Sequence, residues 1–426
     1  MESFRQGGLA ALVAAAIAIG CSDPAPAPGE SGGSGGAGGG GGAGGGGGGG
    51  LTCGASGVSK GPWSLAAGES GATIRWEACR AGADGTIQVT PEAGGDAQQA
   101  TSVETAYEVA TTYEAPLNPN ATPDWAGTWY MHEVALEGLA PGTCYRYQLG
   151  AEPARAGRFC TARPSADPVR FLAIADTNPG LGETTSRLLE QVLPYDPDFV
   201  IHAGDIQYYA SGFETWALWF ERMQPMLAAG AFYPAIGNHE RENDDEYADH
   251  LTRYFVTPGA ESYHRFSSGG VHLFALDSEK DLALASLQGT WLSAGLEAAA
   301  ATPGFRLSVV YLHRPLVTCG DKDSNDAARA QLAPLFAAHG VRLVVQAHMH
   351  GYERFDLDGL TYLTTGGGGG ALGDVDANLD RPECASRVAS GRFSHAVVVD
   401  VGPAELRIRA IDEQGAVRDD WSGAIP

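Results

Sequence analysis

After residue 165, five strand-like runs end in side chains that bind metals. They are Phe171-Leu172-Ala173-Ile174-Ala175-Asp176, Val200-Ile201-His202-Ala203-Gly204-Asp205, Pro234-Ala235-Ile236-Gly237-Asn238-His239, Val309-Val310-Tyr311-Leu312-His313 and Val344-Val345-Gln346-Ala347-His348-Met349-His350. A single Asp after a strand is commonplace as a helix cap, and Asp176 before Thr177 could be that alone. Two Asp, one Asn and three His at successive strand ends, with His239 beside Asn238, exceed what capping requires. Carboxylate and amide oxygens mixed with imidazoles suit iron, zinc or manganese.

The elements that must position these groups alternate. Residues 169–175 and 198–203 are nearly continuous apolar runs, residues 183–193 have helical spacing, and further strand and helix candidates follow at 232–236, 285–300, 306–312, 327–338 and 341–346. Strand then helix, repeated, predicts an α/β sheet, and such sheets carry their ligand sites at the carboxyl ends of strands. Residues 51–164 read differently. Short β-type runs at 73–77, 86–90, 107–112, 128–136, 143–149 and 157–161 are separated by turn signals, and Tyr145, Tyr147 and Leu149 alternate with Arg146 and Gln148. That pattern predicts an antiparallel β-sandwich preceding the α/β domain at residues 165–426.

The metal-ligating residues resemble, in order and spacing, the five signature blocks of the metallophosphoesterases and, within that superfamily, the purple acid phosphatases. The blocks GDxG, GDxxY, GNHD/E, VxxH and GHxH stand here as Ala175-Asp176-Thr177-Asn178, Gly204-Asp205-Ile206-Gln207-Tyr208, Gly237-Asn238-His239-Glu240, Val310-Tyr311-Leu312-His313 and Ala347-His348-Met349-His350. Ala175 and Ala347 depart from the pattern, each replacing a Gly. Most metallophosphoesterases open with DxH and use that His as a ligand. This chain has Asn178 there and Tyr208 at the end of GDxxY, the purple acid phosphatase combination, with Tyr209 as an adjacent decoy. The sandwich, through the stretch 132–147, resembles a fibronectin type III domain.

The resemblance implies two metal ions. Fe(III) would be held by Asp176, Asp205, Tyr208 and His350, and Zn(II), Fe(II) or Mn(II) by Asp205, Asn238, His313 and His348, with Asp205 shared. It implies hydrolysis of phosphate monoesters, with hydroxide attacking phosphorus in line and His239 binding the phosphate or protonating the departing alkoxide. Asn238 and Arg314 are further expected substrate contacts. Relatives often carry additional His after VxxH; here Arg314 leads instead to an acidic loop at 321–326. A phosphodiesterase of the same superfamily is the alternative reaction, and a surface binding protein with a relic enzyme domain is the alternative class. The complete ligand set speaks against the relic. His202 reads as a core or supporting group, His132, His264, His272 and His395 as structural, residues 240–246 as a solvated acidic loop, and Gly366 to Gly370 as a tight turn rather than a phosphate cradle.

The rest of the chain bounds partners and location. With 27 Lys+Arg against 51 Asp+Glu the formal net charge is −24, which excludes an electrostatic grip on nucleic acid. Residues 1–21 read as a lipoprotein-type signal, a short apolar run ending in Ala18-Ile19-Gly20-Cys21, with an ordinary cleaved signal as the alternative; both mean export. Residues 22–50, Pro-Ala repeats and then Gly and Ser, read as a disordered tether from a lipid on Cys21, the only membrane contact expected. Of 7 Cys, lipidation of Cys21 leaves six, an even number that suits disulfides in an exported protein. Cys144 and Cys160 lie in successive strand-like runs; pairing them leaves Cys53 with Cys79 and Cys319 with Cys384. Sequence alone leaves the connectivity open, together with the natural substrate, the second metal and the oligomeric state.

Overall fold

The computed structural model describes residues 56–109, 127–208, 213–241, 249–259 and 262–425. The chain divides into Met1–Gly46 and Gly47–Pro426; the segments expected to be a signal and a tether, residues 1–21 with Cys21 and residues 22–50, lie outside the described residues.

Eight strands precede the α/β region. β1 (Val58–Leu65), β2 (Ala72–Ala78), β3 (Thr86–Pro91), β4 (Gln98–Thr101), β5 (Val103–Val109), β6 (Gly127–Leu136), β7 (Cys144–Leu149) and β8 (Ala156–Cys160) form two antiparallel sheets, ordered β1-β2-β6-β5 and β4-β3-β7-β8. Strand alternation explains their facing. Tyr145, Tyr147 and Leu149 are buried in one cluster with Ile74, Trp76, Val134 and Phe159, while Arg146 between them is exposed. The sequence missed β1 and β4, and it set the strand at 107–112 too late; residues 110–112 lie outside the described residues.

Two larger sheets follow. β9 (Val169–Ile174), β10 (Phe199–His202) and β11 (Ala231–Pro234) run parallel, and β19 (His395–Val401), β20 (Glu405–Asp412) and β21 (Val417–Ala424) extend this sheet from β9 as an antiparallel meander. The facing sheet is ordered β12 (His264–Ser268), β13 (Val271–Ala275), β14 (Leu307–Tyr311), β15 (Val341–Gln346), β17 (Leu360–Thr365), β16 (Tyr352–Leu357), β18 (Arg387–Gly391), with β13, β14, β15 and β17 parallel. Both faces of the central strands are apolar, as a sheet covered on both sides requires. In β9, Phe171 and Ala173 point between the sheets with Val309 and Val345, whereas Leu172 and Ile174 meet α1 (Thr184–Val192) and α2 (Phe213–Leu227). On the other outer face Val310 and Val344 pack against α4 (Leu287–Ala300) and α5 (Asp326–Ala338). The molecule is therefore a mixed α/β fold, a β-rich N-terminal part followed by two sheets sandwiched between helices. Among the described residues no helix is long and apolar enough to cross a membrane.

The N-terminal sheets also clamp the α/β part. Trp63 Nε1 donates to the Tyr254 carbonyl at 3.1 Å and Arg75 Nη1 to the Arg253 carbonyl at 2.7 Å, capping the last turn of α3 (Asp249–Tyr254). Beneath them the fully buried Lys60 ammonium pairs with Glu77, which also accepts from the Tyr107 hydroxyl. Disulfides join Cys144 to Cys160 and Cys319 to Cys384, as expected, and Cys79 is disulfide-bonded; its expected partner Cys53 lies outside the described residues.

Candidate metal centre

The strand ends do converge. Asp176 follows β9, Asp205 follows β10, Asn238 and His239 open a 3-10 turn (Asn238–Arg241) after β11, His313 follows β14, and His348 and His350 follow β15. Each chain must turn sharply there. Asp176 (φ 55°), Asp205 (φ 48°) and His348 (φ 67°) all hold left-handed backbone conformations, strain of the kind found at functional sites. Close approach demands the glycines: a Cβ on Gly237 would lie 2.2 Å from Asp205 N, and one on Gly204 2.7 Å from His313 Cβ. Ala175 and Ala347 are buried but absent from the positive-φ residues, so a Cβ is accommodated where the family pattern has Gly.

The five-glycine run is a scaffold for these turns. A Cβ on Gly366 would lie 2.2 Å from the Met349 carbonyl oxygen and one on Gly368 2.1 Å from that of Ala175. The Gly368 and Gly370 N–H groups donate to the carbonyls of Ala175 and Asp176, so they are spent on the protein rather than offered to a phosphate.

Two clusters result. Asp176, Asp205 and His350 form one; Asp205, His313 and His348 form the other; within each, the ligand atoms lie within 4.8 Å of one another. Tautomers follow from the hydrogen bonds. His350 donates Nδ1–H to the Ala371 carbonyl at 2.7 Å, turning the Nε2 lone pair toward Asp176 Oδ1 at 3.1 Å. His313 donates Nδ1–H to the Ala203 carbonyl at 3.1 Å, and its Nε2 faces Asp205 Oδ2 at 3.2 Å, Asn238 Oδ1 at 3.1 Å and His348 Nδ1 at 3.1 Å. Lone pairs converging at such distances repel unless a proton or cation lies among them. The residues therefore fit two cations sharing Asp205. The Tyr208 hydroxyl lies 3.2 Å from Asp176 Oδ1 and 3.1 Å from His350 Nε2. His239 donates its N–H to Asp205 Oδ1 at 2.9 Å, and its partly exposed ring sits 4.1 Å from that of Tyr208. Arg314 reaches the edge of the site, its Nη1 3.4 Å from His348 Nε2, but its guanidinium is forked onto Glu279.

Glu240 was misplaced by the sequence reading. It is buried, not solvated: its carboxylate accepts from Gly237 N at 2.7 Å, Asp205 N at 3.1 Å and Ile206 N at 2.8 Å, lashing two ligand-bearing turns together. Three converging backbone donors offset what burial alone would forbid. His202 is buried on Thr177 Oγ1 at 3.0 Å, and none of His132, His264, His272 or His395 enters either cluster.

Residues 169–352 match the model of the calcineurin-like phosphoesterase family. The chain is similar to purple acid phosphatases: it is 27% identical over 294 residues to probable purple acid phosphatase 20 of Arabidopsis thaliana, covering 63% of this chain and 67% of that one. Purple acid phosphatase 23 of the same plant is also 27% identical, over 60% of this chain and 66% of its own. The chain thus spans about two thirds of the length of these curated relatives. Its fold is shared with the purple acid phosphatase PPD1 from yellow lupin (Lupinus luteus) seeds, at a TM-score of 0.69 and 16% identity over 86% of this chain and 74% of that one. These homologues support a metal-dependent phosphoester hydrolase with a dinuclear centre.

Without cations, the two clusters and the histidines around them hold opposed titrations. Burial opposes charge on His313, but the adjacent Asp205 carboxylate outweighs it and pushes His313 up to about 9; burial opposes and Asp176 raises His350. Burial holds His202 and His264 down to about 3 and His395 to about 4, and burial with the neighbouring His313 holds His348 to about 2. A histidine kept neutral only in the fold contributes stability above its ordinary value of ~6.5 and loses it as pH falls. His313 and His350 contribute stability below ~6.5 that is lost as pH rises, toward about 9 for His313. Glu240, raised to about 7 by burial and then Asp205, opposes the four neutral histidines with one proton. The metal-free protein is therefore expected to be most stable near pH ~6.5. Thermal midpoints at pH ~5, ~6.5 and ~9 test it, and a midpoint still climbing at the highest pH contradicts the assignment.

Proposed function

We propose that this chain is an exported, metal-dependent hydrolase of phosphate monoesters, of purple acid phosphatase type. The observation that carries the reading is the pair of carboxylate–imidazole clusters sharing Asp205, with the Tyr208 phenol against the Asp176 side. Asp176, Asp205, Tyr208 and His350 would hold Fe(III), and Asp205, Asn238, His313 and His348 would hold Zn(II), Fe(II) or Mn(II). Metals held there would supply Lewis-acid chemistry, making water more acidic and offsetting negative charge on a phosphoryl group. The chain's own groups do the rest. His239, partly exposed and fixed through its backbone on Asp205, would bind the phosphate or give a proton to the departing alkoxide. Asn238 turns its amide oxygen inward, and Arg314 presents Nη1 at the edge of His348. Cys21 would anchor the chain by a lipid, residues 22–50 would tether it, and the N-terminal sheets would serve as a fibronectin type III-like spacer. The disulfides Cys144–Cys160 and Cys319–Cys384 support an oxidising compartment.

Burial, and then Asp176, raise the Tyr208 phenol well above its ordinary value, so only a strongly Lewis-acidic neighbour would ionise it. Iron-loaded protein is expected to show a visible tyrosinate charge-transfer band that Tyr208→Phe removes while the iron content stays within about twofold. A coloured Tyr208→Phe protein would overturn the Tyr208 assignment. Comparing turnover of a monoester with that of its diester separates the phosphatase from a diesterase.

A further inference from the structure

The carboxyl end of β13 carries no metal-binding motif, yet its loop grips a residue at the edge of the candidate metal centre. The loop is built around Asp277. Asp277 N donates to Gln288 Oε1 of α4 at 2.7 Å, Gln288 Nε2 donates back to the Asp277 carbonyl at 3.0 Å, and the Asp277 carboxylate accepts from Glu279 N at 3.0 Å and Ser262 Oγ at 2.6 Å. So braced, the loop holds Arg314, the residue after His313, at two places. Arg314 N donates to Ser278 Oγ at 2.9 Å, and the guanidinium donates from Nε to Glu279 Oε1 and from Nη2 to Glu279 Oε2 at 3.1 Å. The Glu279 side chain is the more buried partner, 8% exposed against 43% for Arg314, so the carboxylate is the anchor and the guanidinium is what it steers.

A guanidinium is planar, and a carboxylate that takes one side of it in two hydrogen bonds fixes where the rest points. With Nε and Nη2 on Glu279, Nη1 is the nitrogen turned to the site, 3.4 Å from His348 Nε2. The other nitrogen of that imidazole, Nδ1, lies 3.1 Å from His313 Nε2, inside the cluster. When Nδ1 gives its lone pair to a cation, Nε2 carries the hydrogen. Two donors then stand side by side, and among the described residues no oxygen accepts from either. Such a pair calls for one shared acceptor, which an anionic phosphoryl oxygen supplies.

We propose that Glu279 is a positioning residue: by taking the Nε–Nη2 side of Arg314 it aims Nη1 so that, with His348 Nε2–H, it receives one oxygen of the bound phosphate. This rests on the reading of Arg314 as a substrate contact. Because the carboxylate offsets the charge of the guanidinium, the pair aligns a phosphate more than it attracts one. A lysine at 314 would bring charge without a fork, and could not be held on Glu279 and aimed at the site together.

The test is a double-mutant cycle on the metal-loaded full chain, at about 0.5 M salt so that the charge left by a removed carboxylate is screened. Steady-state rates on a chromogenic phosphate monoester and calorimetric binding of orthophosphate are both read. Arg314→Ala is expected to lower kcat/KM and orthophosphate affinity about tenfold, Arg314→Lys to lower them nearly as much, and Glu279→Ala to lower them about 3- to 10-fold. In the double variant the loss stays within about twofold of Arg314→Ala alone, since Glu279 has nothing left to aim. A carboxylate that only braces the loop gives losses that multiply instead. Should Glu279→Ala fail to fold, the isosteric Glu279→Gln carries the same cycle, with a loss of about threefold that vanishes in the Arg314→Ala background. Multiplied losses, Glu279 variants equal to the unsubstituted chain, or full function in Arg314→Lys each overturn the proposal. Failure of the underlying reading looks different: Arg314→Ala itself then changes neither rate nor orthophosphate binding, and the role of Glu279 falls with it. If the unsubstituted chain hydrolyses no monoester, orthophosphate affinity across the same cycle decides by the same criteria.

Discussion

Asp205→Ala is expected to lower kcat/KM for a chromogenic phosphate monoester by at least ~10³-fold, because it removes the only carboxylate common to both clusters. Asp205 is almost completely buried, its Oδ1 accepts the His239 N–H, and its Oδ2 lies 3.2 Å from His313 Nε2. Burial argues for a raised carboxyl pKa, yet the adjacent His313 holds this group well below the usual carboxylate range, so it is an anion at any working pH. Deleting it would remove the proposed shared ligand of both metals and the anchor of the His239 backbone together. His348→Ala takes a donor from one cluster alone. Elemental analysis of the two variants should therefore differ, with Asp205→Ala short of both metals and His348→Ala short of one. If Asp205→Ala kept activity within about tenfold of the unsubstituted chain, the placement of the reaction at these strand ends would be wrong.

The strand ends were legible because metal chemistry demands particular side chains at the places where a parallel sheet exposes its loops. Val169–Ile174 and Val341–Gln346 were legible because both faces of a central strand must be apolar, and the observed split of Phe171 and Leu172 between two cores is the reason. Partners distant in sequence were not legible. Lys60 on β1 and Glu77 on the neighbouring β2 look like surface residues until α3 and its Tyr254 are packed over them, with the ammonium 5.5 Å from that ring. β20 and β21 were missed because charged residues alternate through β20 and run together as Arg418-Asp419-Asp420 in β21, which reads as polar loop until the pairing with β19 is known. The acidic look of residues 240–246 hid Glu240 for the same reason. Composition sees a run of carboxylates, whereas only the fold shows that the first of them finds three backbone donors.

Glu240→Gln is expected to weaken metal binding by about 10- to 100-fold while leaving kcat at saturating metal within about tenfold, the signature of a residue that orients ligands without being one. The geometry gives the sign. Gly237 N and Asp205 N both donate to Oε2, and Ile206 N donates to Oε1. A glutamine offers a single oxygen. Whichever way the amide turns, an NH2 group confronts a backbone N–H, leaving a buried donor unsatisfied at a cost of about 1 to 3 kcal/mol. The cost falls on the turns carrying Asp205 and Asn238, which already hold Asp205 at φ 48°, so relaxation would move proposed ligands of both cations. Glu240→Asp keeps two oxygens but is one methylene shorter, and it should lose the Ile206 bond first, giving a smaller defect than Gln. Metal titrations followed by calorimetry, with steady-state rates at saturating metal, separate affinity from turnover. Equal affinity in Glu240→Gln and the unsubstituted chain would show that the ligand turns hold their shape without the carboxylate, and would reduce Glu240 to a packing group.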